Sequence, residues 1–454
     1  MNSHFSKPTS TIGTIPILYL QLLIHIWSMN KGKHTRLEMF SNNKIWWILI
    51  GQLVALFILT YEASAQSPEN KGLIYGKVTT FDRVYEGLIR WEDEEAFWFD
   101  HFNAAKVKNE YYEKIRSENR PAKSTDWSDF NWDFSSIWED KYSNTIHQFT
   151  AQFGDLKMIE NTGRDQITVL LKNNLEIRLS GQGYNDVGAT LIMEENELGE
   201  IKIRWDRIDK IEFKEAPAST RVKNRIPIYG KVETYRKGTF IGYIQWDKDE
   251  RLAFEKLDGD DRNVDVSIPF SDIKYIEKDG DGCNVELKSG KEYYLTNSND
   301  VDSDNRGIIM TVPDVGKIEI PWKYFRNATL MSPPNFGPSY GAYSHPEGLF
   351  GTVYTVDEKR FQGKIIFDID EAWELEILEG MDDGVEYQIP FRNIKSIQPK
   401  NYNFSMVKLK NGDQILLGDS RDVSDSNDGL LIYANPNAKP EYIAWSKVAE
   451  IIFN

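Results

Sequence analysis

The chain has 454 residues, of which 40% are hydrophobic, 13% aromatic and 27% charged. This composition is typical of a folded protein and excludes a disordered one, and the length suffices for two to four domains with separate cores. The formal net charge of −16 at pH 7 disfavours nucleic acid and anionic membrane surfaces as partners, because polyanions are bound by an excess of Lys and Arg.

Residues 1–65 have the pattern of an export segment. An apolar run at 45–59 follows a lysine and ends shortly before an Ala-x-Ala sequence, which predicts a signal peptide cleaved after Ala65. The residues upstream do not fit such a signal, so we expect translation to start at Met29 or Met39. The alternative is a membrane anchor through 45–59, although this run is shorter than the ~20 residues of a spanning helix.

Cysteine usage limits how an exported protein can be stabilised. Cys283 is the only cysteine, so no intramolecular disulfide can form, and we interpret Cys283 as a lone structural thiol. The end of the export segment has no cysteine for lipid attachment. The sequence therefore predicts a periplasmic or released protein.

After the export segment, a two-part pattern occurs three times. Its first part, half A, begins with Gly-x-Val. A second glycine follows, then Trp or Phe four residues after this glycine, and then a glutamate four residues after the aromatic residue. These glutamates are Glu95, Glu250 and Glu371. Half A closes with Phe-x-x-Leu/Ile-x-x-Ile.

The second part, half B, starts with a strand-like Val-x-Leu-Lys segment and continues into an acidic loop with an Asp-Val pair. It ends in the pattern Ile-x-Trp-x-x-Z, in which Z is an aliphatic residue or Phe. The tryptophans of this pattern are Trp205, Trp322 and Trp445. The period of three in both closing patterns predicts a 3₁₀ turn that leads into a last strand.

Alternating apolar and polar residues, rich in Val, Ile, Tyr and Trp and punctuated by Asn-Gly, Ser-Gly and Asp-Gly pairs, predict short antiparallel strands. We therefore expect an all-β fold: three repeats of a two-module unit, hence six small SH3/Sm-like barrels, with one helix-containing insertion in the first copy. The predicted repeats are 72–213, 228–330 and 349–454. Two linkers rich in Pro, Gly or small polar residues, 214–227 and 331–348, predict that the repeats move relative to each other.

The Leu-Lys-x-Gly segment with the later apolar-x-Trp-x-x-aliphatic segment resembles the small SH3-like β-barrel modules that occur in tandem in exported proteins of Gram-negative bacteria. The resemblance covers most of residues 72–454 and implies a way of packing without an activity. The first repeat departs from it at Asn174, where the others have Gly290 and Gly412; Asn also tolerates a left-handed turn.

The first repeat contains an insertion, at about 103–146, that the other two lack. Residues 104–118 have an amphipathic pattern that predicts a helix. An acidic stretch with five large aromatic residues follows: Trp127, Phe130, Trp132, Phe134 and Trp138. One hypothesis is that these rings form a protein- or glycan-binding surface; the other is that they fold back and cover the open end of a barrel.

Glu95, Glu250 and Glu371 have acidic neighbours and suggest the paired carboxylates of a glycoside hydrolase. Because they stand at the same point of all three repeats, we interpret them instead as parts of solvated hairpin turns.

Asp300, Asp302 and Asp304 match the start of a calcium-binding loop. The sixth position is Asn305 instead of Gly, and the twelfth is Thr311 instead of Glu, so calcium remains a weak candidate.

The sequence has no nucleophile, phosphate-loop or zinc-protease motif, and we expect no catalytic residue and no cofactor. The favoured hypothesis is a non-enzymatic exported protein that uses tandem small barrels for binding or scaffolding, with an unknown protein or glycan partner. The alternative is a carbohydrate-active protein, glycan-binding or hydrolytic, that acts through the Trp/Asp-rich insertion.

Overall fold

A computed structural model describes residues 71–92, 94–109, 111, 147–195, 197–220, 225–436 and 438–454. All of them belong to the compact segment 67–454. The predicted export segment and the five aromatic residues of the insertion lie outside the described residues. Within the described ranges, no helix is both long enough and apolar enough to cross a membrane.

The all-β prediction is confirmed, because strands separated by short turns make up the described chain. Unit 1 is our name for residues 75–213. The strands among its described residues are β1 (Tyr75–Thr80), β2 (Val84–Trp91), β3 (His101–Lys106), β4 (His147–Gln152), β5 (Leu156–Asn161), β6 (Gln166–Leu171), β7 (Glu176–Ser180), β8 (Leu191–Glu195), β9 (Gly199–Ile203) and β10 (Ile208–Phe213).

Unit 2 is residues 229–330. Its strands are β11 (Tyr229–Thr234), β12 (Gly238–Gln245), β13 (Lys256–Asp261), β14 (Val264–Pro269), β15 (Ile273–Asp279), β16 (Gly282–Leu287), β17 (Glu292–Leu295), β18 (Ile308–Val312), β19 (Gly316–Ile320) and β20 (Phe325–Leu330).

Unit 3 is residues 350–453. Its strands are β21 (Phe350–Thr355), β22 (Arg360–Ile366), β23 (Ile377–Asp382), β24 (Val385–Pro390), β25 (Ile394–Pro399), β26 (Phe404–Leu409), β27 (Gln414–Gly418), β28 (Leu430–Tyr433), β29 (Glu441–Ile443) and β30 (Val448–Phe453).

The strands of units 1 and 3 pair antiparallel in the same order. In unit 1 this order is β4-β3-β7-β6-β5-β10-β1-β2-β8-β9, and in unit 3 it is β24-β23-β27-β26-β25-β30-β21-β22-β28-β29. Unit 2 has the order β17-β16-β15-β20-β11-β12-β18-β19, and its β13–β14 hairpin forms a sheet of its own. Units 2 and 3 are joined into one sheet by β19 and β24.

The two halves of each unit interleave, which differs from the predicted succession of separate modules. In unit 1, strand β1 of half A pairs with β10 of half B, and β2 pairs with β8. Sequential modules would pair only within each half. The difference arises because alternation along a strand specifies which face is buried but not which distant strand lies beside it.

The closing patterns have the predicted form, a one-turn 3₁₀ helix followed by a strand. Their aromatic residues pack on the aromatic that follows the second glycine of half A. The ring centroids of Trp91 and Trp205 are 6.0 Å apart, those of Trp246 and Trp322 5.9 Å, and those of Phe367 and Trp445 5.8 Å. The repeated aromatics therefore serve the cores, where all six are buried.

The second glycine of half A is required by a close approach of two strands. A Cβ at Gly87 would lie 2.1 Å from the carbonyl oxygen of Glu194, and one at Gly363 would lie 2.1 Å from that of Tyr433. Any side chain at these positions would push β2 away from β8, or β22 away from β28.

The predicted linker 331–348 is packed against unit 1. Phe336 and Tyr343 are buried in the core of that unit, and the Lys172 ammonium donates hydrogen bonds to the carbonyls of Tyr340 (2.6 Å) and Tyr343 (3.0 Å). Pro and Gly in this segment shape a strap with aromatic anchors, in contrast to the flexible linker that its composition indicated.

The helix predicted for 104–118 is wrong at its start. Ala104, Ala105 and Lys106 belong to β3, which pairs with β4 over its whole length. Cross-strand pairing outweighs the local amphipathic pattern here. The insertion therefore begins after Lys106 instead of at residue 103. Residues 110 and 112–118 of the predicted helix lie outside the described ranges.

Candidate functional site

The described ends of the insertion lie on an acidic cavity between units 1 and 3. Strand β3 ends at Lys106 and β4 begins at His147, and both side chains contact Asp370 of unit 3. The cavity has a volume of about 180 Å³. Its lining residues are His147, Gln148, Thr150, Asp368, Asp370, Glu371, Glu376, Ile377, Glu379, Ser420, Arg421 and Asp422.

Lys106 crosses from unit 1 to two carboxylates of unit 3. Its Nζ lies 2.9 Å from Asp370 Oδ1 and 2.7 Å from Glu376 Oε1. Burial disfavours the ammonium, but the facing carboxylates outweigh it and raise the pKa of Lys106. Glu376 uses its other oxygen to accept hydrogen bonds from the backbone N–H groups of Ala372 (2.7 Å) and Trp373 (3.0 Å). The lysine is thus a fixed part of the wall.

Asp370 is held ionised by its neighbours. Burial acts to raise its pKa, but Lys106 and His147 outweigh this effect and lower it. Asn109, just beyond β3, donates from Nδ2 to Asp370 Oδ1 (3.2 Å) and to the carbonyl oxygen of Ile369 (2.8 Å). Ile369 has a φ of +54°, a conformation that β-branched residues rarely adopt, so contacts from unit 1 stabilise a strained turn.

Glu371 and Asp422 are two acids that face each other on the same wall. Burial, followed by the charges of Asp370 and Asp422, raises the pKa of Glu371 well above its usual range. Burial and Asp368 likewise raise that of Asp422, although Asp422 Oδ2 accepts a hydrogen bond from the backbone N–H of Glu379 (2.7 Å). Glu371 Oε2 is buried and receives no hydrogen bond from the described residues.

The remaining wall carries one more cation and two more acids. Arg421 Nε lies 2.6 Å from Asp368 Oδ2, and Arg421 also pairs with Asp428. Burial raises the pKa of Asp368 to about 7 in spite of the arginine. Gln148 of β4 donates to Glu379 Oε1 (3.2 Å), whose pKa is raised by burial and then by Glu386.

The Glu–Asp pair occurs in all three units. The aspartates equivalent to Asp422 are Asp186, which accepts from the backbone N–H of Asn103, and Asp300, which accepts from that of Asp258 (2.6 Å). Burial, followed by Asp300, raises the pKa of Glu250 to about 8. The glutamates are therefore half-buried and face a second acid, which corrects their interpretation as solvated turn residues.

Two of the three aspartates considered as calcium ligands, Asp300 and Asp302, accept hydrogen bonds from backbone N–H groups of the chain. Asp300 joins its loop to β13, and Asp302 Oδ1 accepts from the backbone N–H of Asp304 (2.9 Å). Across the described residues, no group of three or more His, Cys, Asp or Glu side chains is arranged to hold a metal ion. Cys283 is buried and donates to the carbonyl oxygen of Val301 (3.4 Å).

Sequence reasoning singled out Glu371 and the Asp422-Val423 pair but missed the cavity. Lys106, His147 and Arg421 carried no signal of their own, because a lone basic residue in a strand or loop is ordinary. The five aromatic residues proposed as a binding surface, Trp127, Phe130, Trp132, Phe134 and Trp138, are not among the described residues. In the sequence they stand between Lys106 and His147, which both contact Asp370.

No protein-family model matches this sequence, and no curated protein or solved structure is significantly similar to it.

Proposed function

We propose that this protein is a non-enzymatic, exported binding protein that holds a cationic group, an amine or a guanidinium, in the acidic cavity between units 1 and 3. The observation that carries the proposal is that the insertion specific to unit 1 begins and ends at this cavity.

Charge supports a cationic ligand. Six of the lining residues are carboxylic acids, and Lys106, Arg421 and His147 face them. Buried carboxylates repel one another unless they are protonated or paired with cations. Glu371 Oε2, which has no hydrogen-bond donor among the described residues, gives an entering N–H group an acceptor.

The neighbouring insertion supplies a second reason. In the chain, Trp127, Phe130, Trp132, Phe134 and Trp138 stand between Lys106 and His147, whose side chains contact Asp370 of the cavity. Aromatic faces attract ammonium and guanidinium groups by the cation–π interaction. An acidic cavity, together with a Trp-rich segment that follows Lys106 and precedes His147 in the chain, favours an organic cation over an anion.

The repetition of the acidic pair argues against hydrolysis. Glu371 and Asp422 have counterparts in Glu95 with Asp186 and in Glu250 with Asp300. In unit 2, the aspartate of the pair also accepts the indole N–H of Trp246 at its backbone carbonyl (2.8 Å). A pair in which the aspartate holds a hairpin to a loop in every unit has a packing role, and the acidic cavity described above lies at the pair of unit 3.

For the fold, we propose that each unit is a pair of small SH3-like barrels that exchange strands. The 3₁₀ turn before the last strand of each half and the shared aromatic core support this interpretation. For the location, the apolar run 45–59 with its Ala-x-Ala end supports export, and N-terminal sequencing of the secreted protein should give Gln66 as its first residue.

The ligand class is tested by titrating the purified protein calorimetrically with spermidine, an organic polycation, and with cellohexaose, a neutral glycan. We expect saturable binding of spermidine that is weakened at least about tenfold by Glu371→Gln. The matched control is Glu250→Gln, the equivalent residue of unit 2, which should bind as the wild type does. Binding of cellohexaose alone, or equal effects of both variants, would contradict the proposal.

A further inference from the structure

Units 2 and 3 are joined by an antiparallel pair of strands. One strand, β19, belongs to the β18–β19 hairpin of unit 2, and the other, β24, belongs to the β23–β24 hairpin of unit 3. In this junction Lys317, Ile318 and Glu319 of β19 lie opposite Gln388, Tyr387 and Glu386 of β24. The chain thus already contains one interface between units that is made by adding one strand edge to another.

The counterpart of β19 in unit 1 is β9, and the counterpart of β24 in unit 2 is β14. Strand β9 (Gly199–Ile203) precedes Trp205 as β19 precedes Trp322, and β14 (Val264–Pro269) precedes Phe270 as β24 precedes Phe391. Among the described residues, β9 pairs only with β8 and β14 only with β13. The other edge of each strand therefore offers unpaired backbone groups, which is the usual template for strand addition.

The two edges are complementary in the register of the existing junction. Transferring that register places Glu200 opposite Ser267, Ile201 opposite Val266, and Lys202 opposite Asp265. A cross-strand Lys–Asp pair and an aliphatic pair both stabilise antiparallel strands. The existing junction has Glu319 opposite Glu386 at the position of the Lys–Asp pair, so the β9–β14 combination is the better matched one.

The third edge of this kind, β29 in unit 3, is closed to the same pairing. Pro440 stands where β19 has Lys317, counted back from Ile443 and Ile320. Proline has no backbone N–H to donate to a neighbouring strand. Strand β4, the counterpart of β14 in unit 1, pairs only with β3 among the described residues, but its side chains are engaged with unit 3, since His147 contacts Asp370 and Gln148 donates to Glu379 Oε1. We therefore take β9 and β14 as the open edges of the two types.

Units 1 and 2 of one chain meet elsewhere. Arg90 pairs with Glu255, and Arg251 pairs with Asp100, and both pairs are buried or nearly so. Arg251 also lies over the rings of Phe97 (5.6 Å) and Phe99 (5.2 Å). These contacts hold the two units in an arrangement in which β9 and β14 of the same chain are not paired.

We propose that β9 of one molecule pairs with β14 of a second copy of this chain, in the register that joins β19 to β24. Because the two edges differ, the contact is head-to-tail, so it extends into a chain of molecules or closes into a ring. The surface is separate from the acidic cavity, so this inference does not depend on the proposed function.

The test is the mass of the purified protein by light scattering across a concentration series, with charge reversals at the predicted pair. We expect association that increases with concentration, weakened at least about tenfold by Lys202→Glu and by Asp265→Lys, and restored by the double variant, in which the pair is reversed. Lys395→Glu, an exposed strand lysine of unit 3, is the matched control and should associate as the wild type does.

A protein that is monomeric at every concentration, or single reversals that leave association unchanged, would overturn the proposal. A cysteine pair, Lys202→Cys with Asp265→Cys in one chain, gives a second readout that does not depend on affinity. Under oxidation it should yield covalent oligomers, whereas a disulfide formed only within single chains would also overturn it. Cys283 is buried and does not compete.

Discussion

The acidic pairs of unit 2 and unit 3 have the same origin in the fold and different surroundings. In both, a glutamate that follows a tight turn faces an aspartate that accepts a backbone N–H group, at 2.6 Å in unit 2 and 2.7 Å in unit 3. In unit 3, β4 of unit 1 and the ends of its insertion are added, and a cavity forms. The repeated architecture therefore supplies the carboxyl groups, and contact with another unit turns one pair of them into a candidate site.

The largest effect on stability is expected for the contact of Lys106 with unit 3, which distinguishes the pair of unit 3 from that of unit 2. Lys106→Ala removes the cation shared by Asp370 and Glu376 and leaves two buried carboxylates without it. We expect the free energy of unfolding to fall by about 3–5 kcal/mol, measured by urea denaturation. Lys256→Ala, in the equivalent hairpin of unit 2 and exposed, should cost less than about 0.5 kcal/mol. Equal losses would show that the contact between units 1 and 3 is not special.

The acidic pair of unit 2 should make stability fall as the pH rises. The pKa of Glu250 is raised to about 8, by burial first and then by Asp300, and that of Asp300 to about 6, by burial. The folded state therefore binds more protons than the unfolded state between about pH 4.5 and 8, and its stability is lost across that window.

Denaturation at several pH values checks this sign. The slope for one such proton is at most about 1.4 kcal/mol per pH unit. Glu250→Gln should flatten the decline, because glutamine does not titrate. A free energy of unfolding that rises steadily from pH 5 to 8, with no change in slope in Glu250→Gln, would disagree with a proton held at this pair.

The smallest effect on stability is expected at the core position that is Trp91 in unit 1 and Trp246 in unit 2 but Phe367 in unit 3. Trp246 donates its indole N–H to the carbonyl oxygen of Asp300 (2.8 Å), and unit 3 has Phe367 at the same position. That carbonyl also accepts from Asn305 Nδ2 (3.1 Å), so Trp246→Phe should cost only about 1–2 kcal/mol by thermal unfolding. A loss above about 4 kcal/mol would mean that the units do not share one core design.

Local features of the fold could be predicted from the sequence, because they depend on neighbouring residues. The aromatic-x-x-aliphatic pattern predicted the 3₁₀ turn before β5 and β10, and period-two alternation predicted the strands. The partners of β1 could not be predicted, since pairing between strands that are far apart in sequence is a tertiary property. The same is true of residues 104–106, where a helical pattern is overruled by pairing with β4.

Only the acidic residues of the candidate site could be picked out from the sequence. Glu371 and Asp422 stood out because acids recur at these positions, yet the same recurrence concealed that one pair differs from the others. That difference depends on Lys106 and His147, which lie far from unit 3 in the sequence and have no pattern that relates them to it. The strap 331–348 was misjudged for a related reason, since Pro and Gly indicate an irregular backbone and not its mobility.

The cavity between β4 and unit 3 is the place where we propose that a cationic ligand is held. A crystal structure of the protein with spermidine tests this directly. We predict an amine nitrogen within hydrogen-bond distance of a Glu371 oxygen, with side chains of the inserted segment against the ligand. An empty cavity at saturating spermidine, or a ligand bound only elsewhere on the protein, would contradict it.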